Sequence, residues 1–291
     1  MEGLIIKALS GFYYVETEEG IIECKARGRF RNSGTSPLVG DRVEVILEGN
    51  KGVVDNISQR RNFLNRPPVA NIDKLFIVSS AVTPSPNCLL IDRLTALAEF
   101  KNITPIIVFN KNDEGDVSEF IDKYSKVGYK TIHCSAKTGS GCDEIKALLA
   151  DSVSAFTGNS GVGKSSILNL LFPELTLSTG EVSEKLGRGR HTTRHTELFK
   201  HKYNGYVADT PGFSSLEADV SSLDFKEDLI NCFPEFSDYE GLCRFSDCKH
   251  IGENGCAVRK AADEGKIEAT RLESYITIYD ELKDLKHWNI K

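Results

Sequence analysis

No apolar run in this 291-residue sequence approaches the length of a membrane span, and no lipidation motif stands at either end. The N-terminus carries Glu2 and lacks both a basic start and a cleavage site, so no signal peptide is expected. Net positive charge is also missing: 36 Lys and Arg against 42 Asp and Glu give −6, which excludes a molecule that binds nucleic acid through its overall charge. These absences point to a cytoplasmic protein with no membrane partner. The eight cysteines are then expected to be reduced, free for metal rather than for disulfides. Nothing demands an obligate dimer, and a monomer is expected. An apolar fraction of 40% in a chain of this length supports two or three domains with real cores.

What is present is uneven. Cys24 to Arg66 holds nine Lys and Arg against four Asp and Glu, and Ser183 to Lys202 holds six against two. Basic patches in an acidic protein are the pattern for selective phosphate contact. Residues 1–66 carry five short β-like runs, Leu4–Ala8, Phe12–Thr17, Ile21–Ala26, Asp41–Leu47 and Gly52–Ile57, punctuated by glycines. Five strands without a helical period suggest an all-β OB-type barrel, a fold that often binds RNA. The loop Arg27-Gly28-Arg29-Phe30-Arg31-Asn32 sets three guanidiniums beside one ring, a device for phosphate contact and base stacking.

Residues 67–221 alternate strand and helix, as a mostly parallel α/β sheet requires. Its centre is Gly158-Asn159-Ser160-Gly161-Val162-Gly163-Lys164-Ser165, which reads G-x-x-x-x-G-K-S between an apolar strand and a helix that continues from Ser166. Glycines let backbone N–H groups turn toward phosphates, and the helix start adds positive partial charge. Lys164 would reach the β- and γ-phosphates, and the Ser165 hydroxyl would hold Mg²⁺. Upstream, the strand Pro105–Phe109 runs into Asn110-Lys111-Asn112-Asp113, and Lys130–Cys134 into Ser135-Ala136-Lys137. A carboxylate at Asp113 can accept from N1–H and the exocyclic amine of guanine, whereas adenine offers no N1–H and leaves the charge unpaired. Asn110 would tie this loop to the P-loop, the Lys111 stem would cover the base, and Ser135-Ala136-Lys137 would close the pocket. Together these strings predict GTP/GDP binding with Mg²⁺.

The order is unusual. N-K-x-D and S-A-K precede the P-loop, then come the Gly-rich basic stretch Leu186–Arg194 and Asp209-Thr210-Pro211-Gly212 as D-x-x-G. These strings resemble the motifs of the GTPase superfamily in circularly permuted order. In residues 222–291, Cys243, Cys248, His250 and Cys256 gather three thiols and an imidazole within fourteen residues, a Cys₃His set suited to one structural Zn²⁺. Lys260–Lys286 is expected to be an amphipathic helix packed on its own mainly helical domain.

The permuted order, the N-terminal barrel, the run Arg66-Pro67-Pro68-Val69-Ala70-Asn71-Ile72-Asp73 and the Cys/His tail together resemble the RsgA (YjeQ/YloQ) family. The resemblance implies a multidomain GTPase stimulated by the small ribosomal subunit during its maturation, contacting rRNA through the barrel and the zinc domain. It also implies site residues. Thr193, with Thr192 as its rival, would complete the Mg²⁺ shell, Asp209 would hold the ion through water, and the Gly212 N–H would sense the γ-phosphate. Many GTPases follow D-x-x-G with a water-orienting Gln; here Phe213 cannot do this, and His191 is the catalytic candidate. The residues assigned to catalysis are thus His191, Lys164 and Thr193. Two alternatives stay open at this point: a GTP-gated RNA scaffold in which hydrolysis is incidental, and a regulatory GTPase with a protein target.

Overall fold

A computed structural model describes residues 1–32, 35–49, 51–65, 67–173, 196–209 and 223–283. The first five strands are β1 (Glu2–Leu9), β2 (Phe12–Thr17), β3 (Gly20–Ala26), β4 (Arg42–Glu48) and β5 (Lys51–Ile57). They pair in the order β1-β2-β3-β5-β4, and β4 returns to β1 through Glu2↔Glu44, Gly3↔Val43 and Leu4↔Arg42, closing a five-stranded barrel. Alternation along the strands sends Ile5, Val15, Cys24, Val43, Val45 and Val54 inward, each at most 2% exposed. Each full burial of such an aliphatic side chain contributes about 1.5–3 kcal/mol. A short helix, α1 (Arg29–Asn32), connects β3 to β4.

This corrects the expected stacking device in the loop 27–32. Phe30 is only 9% exposed and belongs to the barrel core, while Arg27 and Arg29 both turn to the Asp55 carboxylate. The ring is apolar surface the barrel needs, and it offers no face to a base.

A small hairpin, β6 (Phe63–Asn65) and β7 (Pro68–Ala70), links the barrel to the next unit. It is fastened on both sides. Arg60 makes a two-point contact with Asp41, which is fully buried in the barrel, at 2.7 and 2.8 Å. On the other side, the Asn62 side chain donates to Ile72 O and accepts from Ile72 N.

The central unit runs β8 (Lys74–Ser80), α2 (Cys88–Phe100), β9 (Thr104–Asn110), α3 (Ser118–Val127), β10 (Lys130–His133), α4 (Cys142–Leu149), β11 (Val153–Thr157), α5 (Lys164–Leu171), β12 (Thr196–His201) and β13 (Gly205–Asp209). Strand order is β10-β9-β8-β11-β13-β12, parallel except for β12, which runs antiparallel to β13. The sequences LFIVSS and PIIVFN are buried at every position, as central strands covered on both faces must be. Asn87 caps α2 by accepting from the Leu90 N–H at 3.1 Å. The barrel and this sheet form one ladder, because β12 also pairs with β1 through Lys7↔Glu197 and Ala8↔Thr196. Lys7–Glu197 at 2.7 Å and Lys200–Glu16 at 2.9 Å reinforce the seam.

The C-terminal part contains α6 (Leu223–Asp228), two 3-10 turns (Leu229–Cys232 and Pro234–Tyr239), a loop carrying the Cys/His set, α7 (Ala257–Asp263) and α8 (Ala269–Lys283). The expected single helix is therefore two, separated at Gly265 with φ +71°. Nor does α8 pack only on its own domain: it lies on α2 of the central unit. Arg271 explains why. It is 0% exposed, donates to Glu235 at 2.7 and 3.1 Å and to Asp92 at 3.0 Å, and stacks its guanidinium 4.5 Å from the Phe233 ring centre. Arg93–Glu281 and Lys126–Glu268 ring this contact at the surface. Phe233, Phe236 and Tyr275 pack edge to face or stacked around it, with centroids 5.1–5.3 Å apart.

Candidate functional site

The nucleotide motifs all fall at the carboxyl ends of parallel strands, where open α/β sheets bind ligands. β11 ends at Thr157, the loop Gly158–Gly163 follows, and α5 starts at Lys164. Two glycines fix the loop's shape. Gly158 has φ +133°, and a Cβ there would lie 2.0 Å from Val78 O; Gly163 has φ +95°, and a Cβ there would lie 2.2 Å from Asn110 Nδ2. Neither position accepts a side chain. Val162, 2% exposed, anchors the loop in the core beneath α5. Lys164 turns its Nζ back to Gly158 O at 2.6 Å and Asn159 O at 2.7 Å, and burial pulls its pKa down. Ser165 and Ser166 occupy the first turn of α5.

Asn110, 2% exposed at the end of β9, joins three motifs. Its Nδ2 donates to Val162 O of the P-loop at 2.9 Å, and its Oδ1 accepts from the Ala136 N–H at 3.0 Å. The Asn112 N–H donates to Cys134 O at 3.0 Å, tying the same loop to the end of β10. Lys111 adopts φ +65° and donates to Gly161 O at 3.0 Å and to Thr83 O. The Ser135 hydroxyl donates to the Asp113 carboxylate and, aided by Lys137, holds it below the ordinary carboxylate range. Lys137 Nζ stands 3.8 Å from Asp113 Oδ2. The carboxylate is thus ionised and aimed from a rigid edge, as a guanine-reading acceptor must be.

The remaining expected positions divide. Asp209 ends β13 in line with the P-loop strand, while His191, Thr192, Thr193, Gly212 and Phe213 lie outside the described residues. His201 is a packing residue, 6% exposed and stacked on Phe172 with centroids 5.0 Å apart.

The second cluster is Cys243, Cys248, His250 and Cys256, whose ligand atoms all lie within 4.8 Å of one another. His250 Nδ1 stands 3.5, 3.6 and 3.3 Å from the three sulfurs. A tetrahedral ion with Zn–S near 2.3 Å and Zn–N near 2.0–2.1 Å separates its N and S ligands by about 3.5–3.6 Å, so the set fits zinc. The residue that shapes this loop, Glu253, belongs to no motif of the sequence. Glu253 accepts the backbone N–H groups of Lys249 at 2.8 Å and of Ile251 and Gly252 at 3.0 Å. Burial pushes its carboxyl up, but these bonds outweigh it and hold the group at about 2. Its signal was an acid inside the turn between His250 and Cys256, a pattern shared by any loop anion. Ser80 stands outside the motifs as well: its buried hydroxyl donates to Thr83 O and so steadies the loop that receives Lys111.

One fully buried asparagine thus ties a P-loop to N-K-x-D and S-A-K loops that precede it in the chain, and the class of protein this defines is a circularly permuted P-loop GTPase. Comparison with known proteins gives the particular family. A model for the RsgA GTPase matches residues 57–219, and one for the RsgA N-terminal domain matches residues 2–54. A Caldanaerobacter subterraneus protein named small ribosomal subunit biogenesis GTPase RsgA is 47% identical over 288 residues, 98% of this chain and 96% of its own. A protein of the same name from Geobacillus thermodenitrificans is 47% identical over 292 residues, covering 98% of each. Among solved structures, YjeQ from Thermotoga maritima aligns with a TM-score of 0.81 at 37% identity, over 98% of this chain and 99% of that one. YloQ, described as a circularly permuted GTPase, aligns with 0.79 at 38% identity, over 98% and 96%. The chain belongs to the RsgA family of GTPases.

Proposed function

We propose that this GTPase acts in late maturation of the small ribosomal subunit, is stimulated by that subunit, and contacts rRNA through its barrel and its Cys/His domain. The domain limits that go with this proposal are 1–66, 67–221 and 222–291. The observation that carries the guanine-nucleotide half is the double bond of Asn110 to Val162 O and Ala136 N, which sets Asp113 beside the P-loop. The ribosomal half is supported by the names of relatives that span nearly the whole chain.

Asp113 would accept from the guanine edge, the Lys111 stem would flank the base, and Ala136 and Lys137 would border it. Lys164 would exchange its two loop carbonyls for phosphate oxygens, with the Gly158–Gly163 backbone cradling them. Ser165 and Thr193 would bind Mg²⁺, with Asp209 behind a water; the ion supplies charge neutralisation at the β- and γ-phosphates. His191 would orient the attacking water in a loop that has Phe213 instead of the usual Gln. Zn²⁺ on Cys243, Cys248, His250 and Cys256 would be structural, since four protein ligands leave no open position. The setting is the cytoplasm, with the protein acting as a monomer.

The test is steady-state GTP hydrolysis by the chain alone and with purified small subunits, large subunits or free rRNA. Acceleration by small subunits alone is expected. Equal rates in all four conditions would leave the nucleotide site standing and overturn the ribosomal assignment.

A further inference from the structure

Among the described residues only two aromatic side chains are exposed, Phe63 at 39% and Phe245 at 46%. Phe245 sits in the metal loop of a domain already proposed to face RNA. Phe63 lies on the hairpin that follows the barrel strands, within residues 1–66. Through residues 61–65, which lead into and form β6, burial alternates: Asn62 and Leu64 are buried, at 7% and 0% exposure, while Arg61, Phe63 and Asn65 are exposed. Leu64 fills the core demand of this short strand, and the phenyl ring is left at the surface.

Its neighbours are cations. Arg60 lies 5.7 Å and Lys101 5.2 Å from the ring centroid, and Lys101 also stands 5.0 Å from that of Phe100. The two cations differ. Arg60 is committed to buried Asp41, which fixes its plane beside the ring. Lys101 makes no ion pair among the described residues. A ring held by a fixed guanidinium, beside an ammonium with charge to spare, suits one unstacked nucleotide: a π-face for the base and a cation for its phosphate.

The place of the ring adds a second reason. β7 bridges to the barrel through Val39↔Val69, and Asn71 Nδ2 donates to Gly40 O at 2.9 Å. Asn62 and the end of α2 meet where Asn62 Nδ2 approaches Asn102 O at 3.5 Å. Helix α2 in turn packs against the first 3-10 turn, Leu229–Cys232. Phe63 therefore lies on the hairpin that joins the barrel to the central unit, beside the end of α2. Arg61, on the same face, is paired with Asp73 at 2.7 Å, and the two line an adjoining cleft of about 270 Å³ with Arg42, Asn71, Asp151 and Asn204.

We propose that Phe63, framed by Arg60 and Lys101, is a stacking platform for an unpaired RNA nucleotide at the joint between the barrel and the central unit. This rests on the ribosomal reading above. The experiment measures binding of the full chain to purified small ribosomal subunits across a salt series, for the wild type, Phe63→Leu, Phe63→Trp and Lys101→Ala. A photoreactive benzoylphenylalanine substituted at Phe63 then identifies what touches the site. Leucine keeps apolar bulk but has no π-face, so affinity is expected to fall about fivefold or more, and tryptophan to restore it. Lys101→Ala should reduce the slope of log affinity against log salt by about 0.7–1. The photoreactive group should capture nucleotide. Equal affinities of Phe63→Leu and the wild type, equal losses in leucine and tryptophan, or capture of ribosomal protein alone would overturn the platform while leaving the ribosomal reading intact. Failure of the wild type to bind small subunits would overturn that reading itself.

Discussion

Replacing Arg271 with leucine tests what fastens the Cys/His domain to the GTPase unit. The guanidinium and Asp92 are both fully buried, and the Glu235 side chain is 11% exposed. Burial alone would discourage the charge on Arg271, but Asp92 and Glu235 outweigh it and raise its pKa. Leucine leaves two carboxylates without their cation in a site that water does not reach, and breaking such a buried pair costs about 3–5 kcal/mol. For a chain of this size that lowers Tm by about 6–20 °C. Arg93–Glu281 spans the same interface, but with Glu281 53% exposed it is a surface pair worth about 0–1 kcal/mol, so Arg93→Leu should be nearly silent. Replacing Arg271, Asp92 and Glu235 together with apolar residues of similar volume should recover most of the loss. Urea unfolding followed by circular dichroism, together with hydrogen exchange of α2 and α8, reads both parts. An Arg271→Leu cost below about 1 kcal/mol, equal to that of Arg93→Leu, would refute the buried-charge argument.

Gly163→Ala should abolish binding of a fluorescent GDP analogue, because its Cβ would collide with Asn110 Nδ2 at a φ that alanine avoids; binding within tenfold of wild type would contradict this. Asp113→Asn should weaken GTP binding by about 10–150-fold and improve binding of xanthosine triphosphate, whose 2-oxo group accepts where guanine donates; competition between the two nucleotides measures it. His191→Ala should keep nucleotide affinity and lose subunit-stimulated hydrolysis, and unchanged stimulated turnover would remove His191 from catalysis. Glu253 is held near 2 in the folded loop against 4.5 ordinarily. Its contribution is therefore complete above about pH 4.5 and lost as pH falls toward 2. Thermal unfolding of wild type and Glu253→Gln should differ most at pH 6, less at pH 3, and converge only near pH 2.

The barrel strands were legible because alternation, glycine turns and short length all agree on one structure. The nucleotide loops were legible because phosphate and guanine chemistry demands particular residues at fixed spacings. What stayed hidden depends on long-range partners. Arg271 reads locally as one charge on an amphipathic helix, and only Asp92, far upstream, turns it into a buried anchor. Phe30 stood among arginines like a recognition residue, and its burial follows from closure of the barrel, which no local pattern states. Lys7 and Glu197 likewise meet only because β12 reaches back to β1.

That meeting is brief: two residue pairs join the barrel to the GTPase sheet. β1 spends one edge on β4 at Glu2–Leu4 and on β12 at Lys7–Ala8. Opening the seam bares two complementary strand edges at once, and unpaired edges recruit partners. In a concentrated solution the nearest such partner is the same pair of edges on another copy. The joint that makes one molecule continuous is thus also the place where two molecules would exchange barrels, and the paired charges Lys7–Glu197 and Lys200–Glu16 guard it.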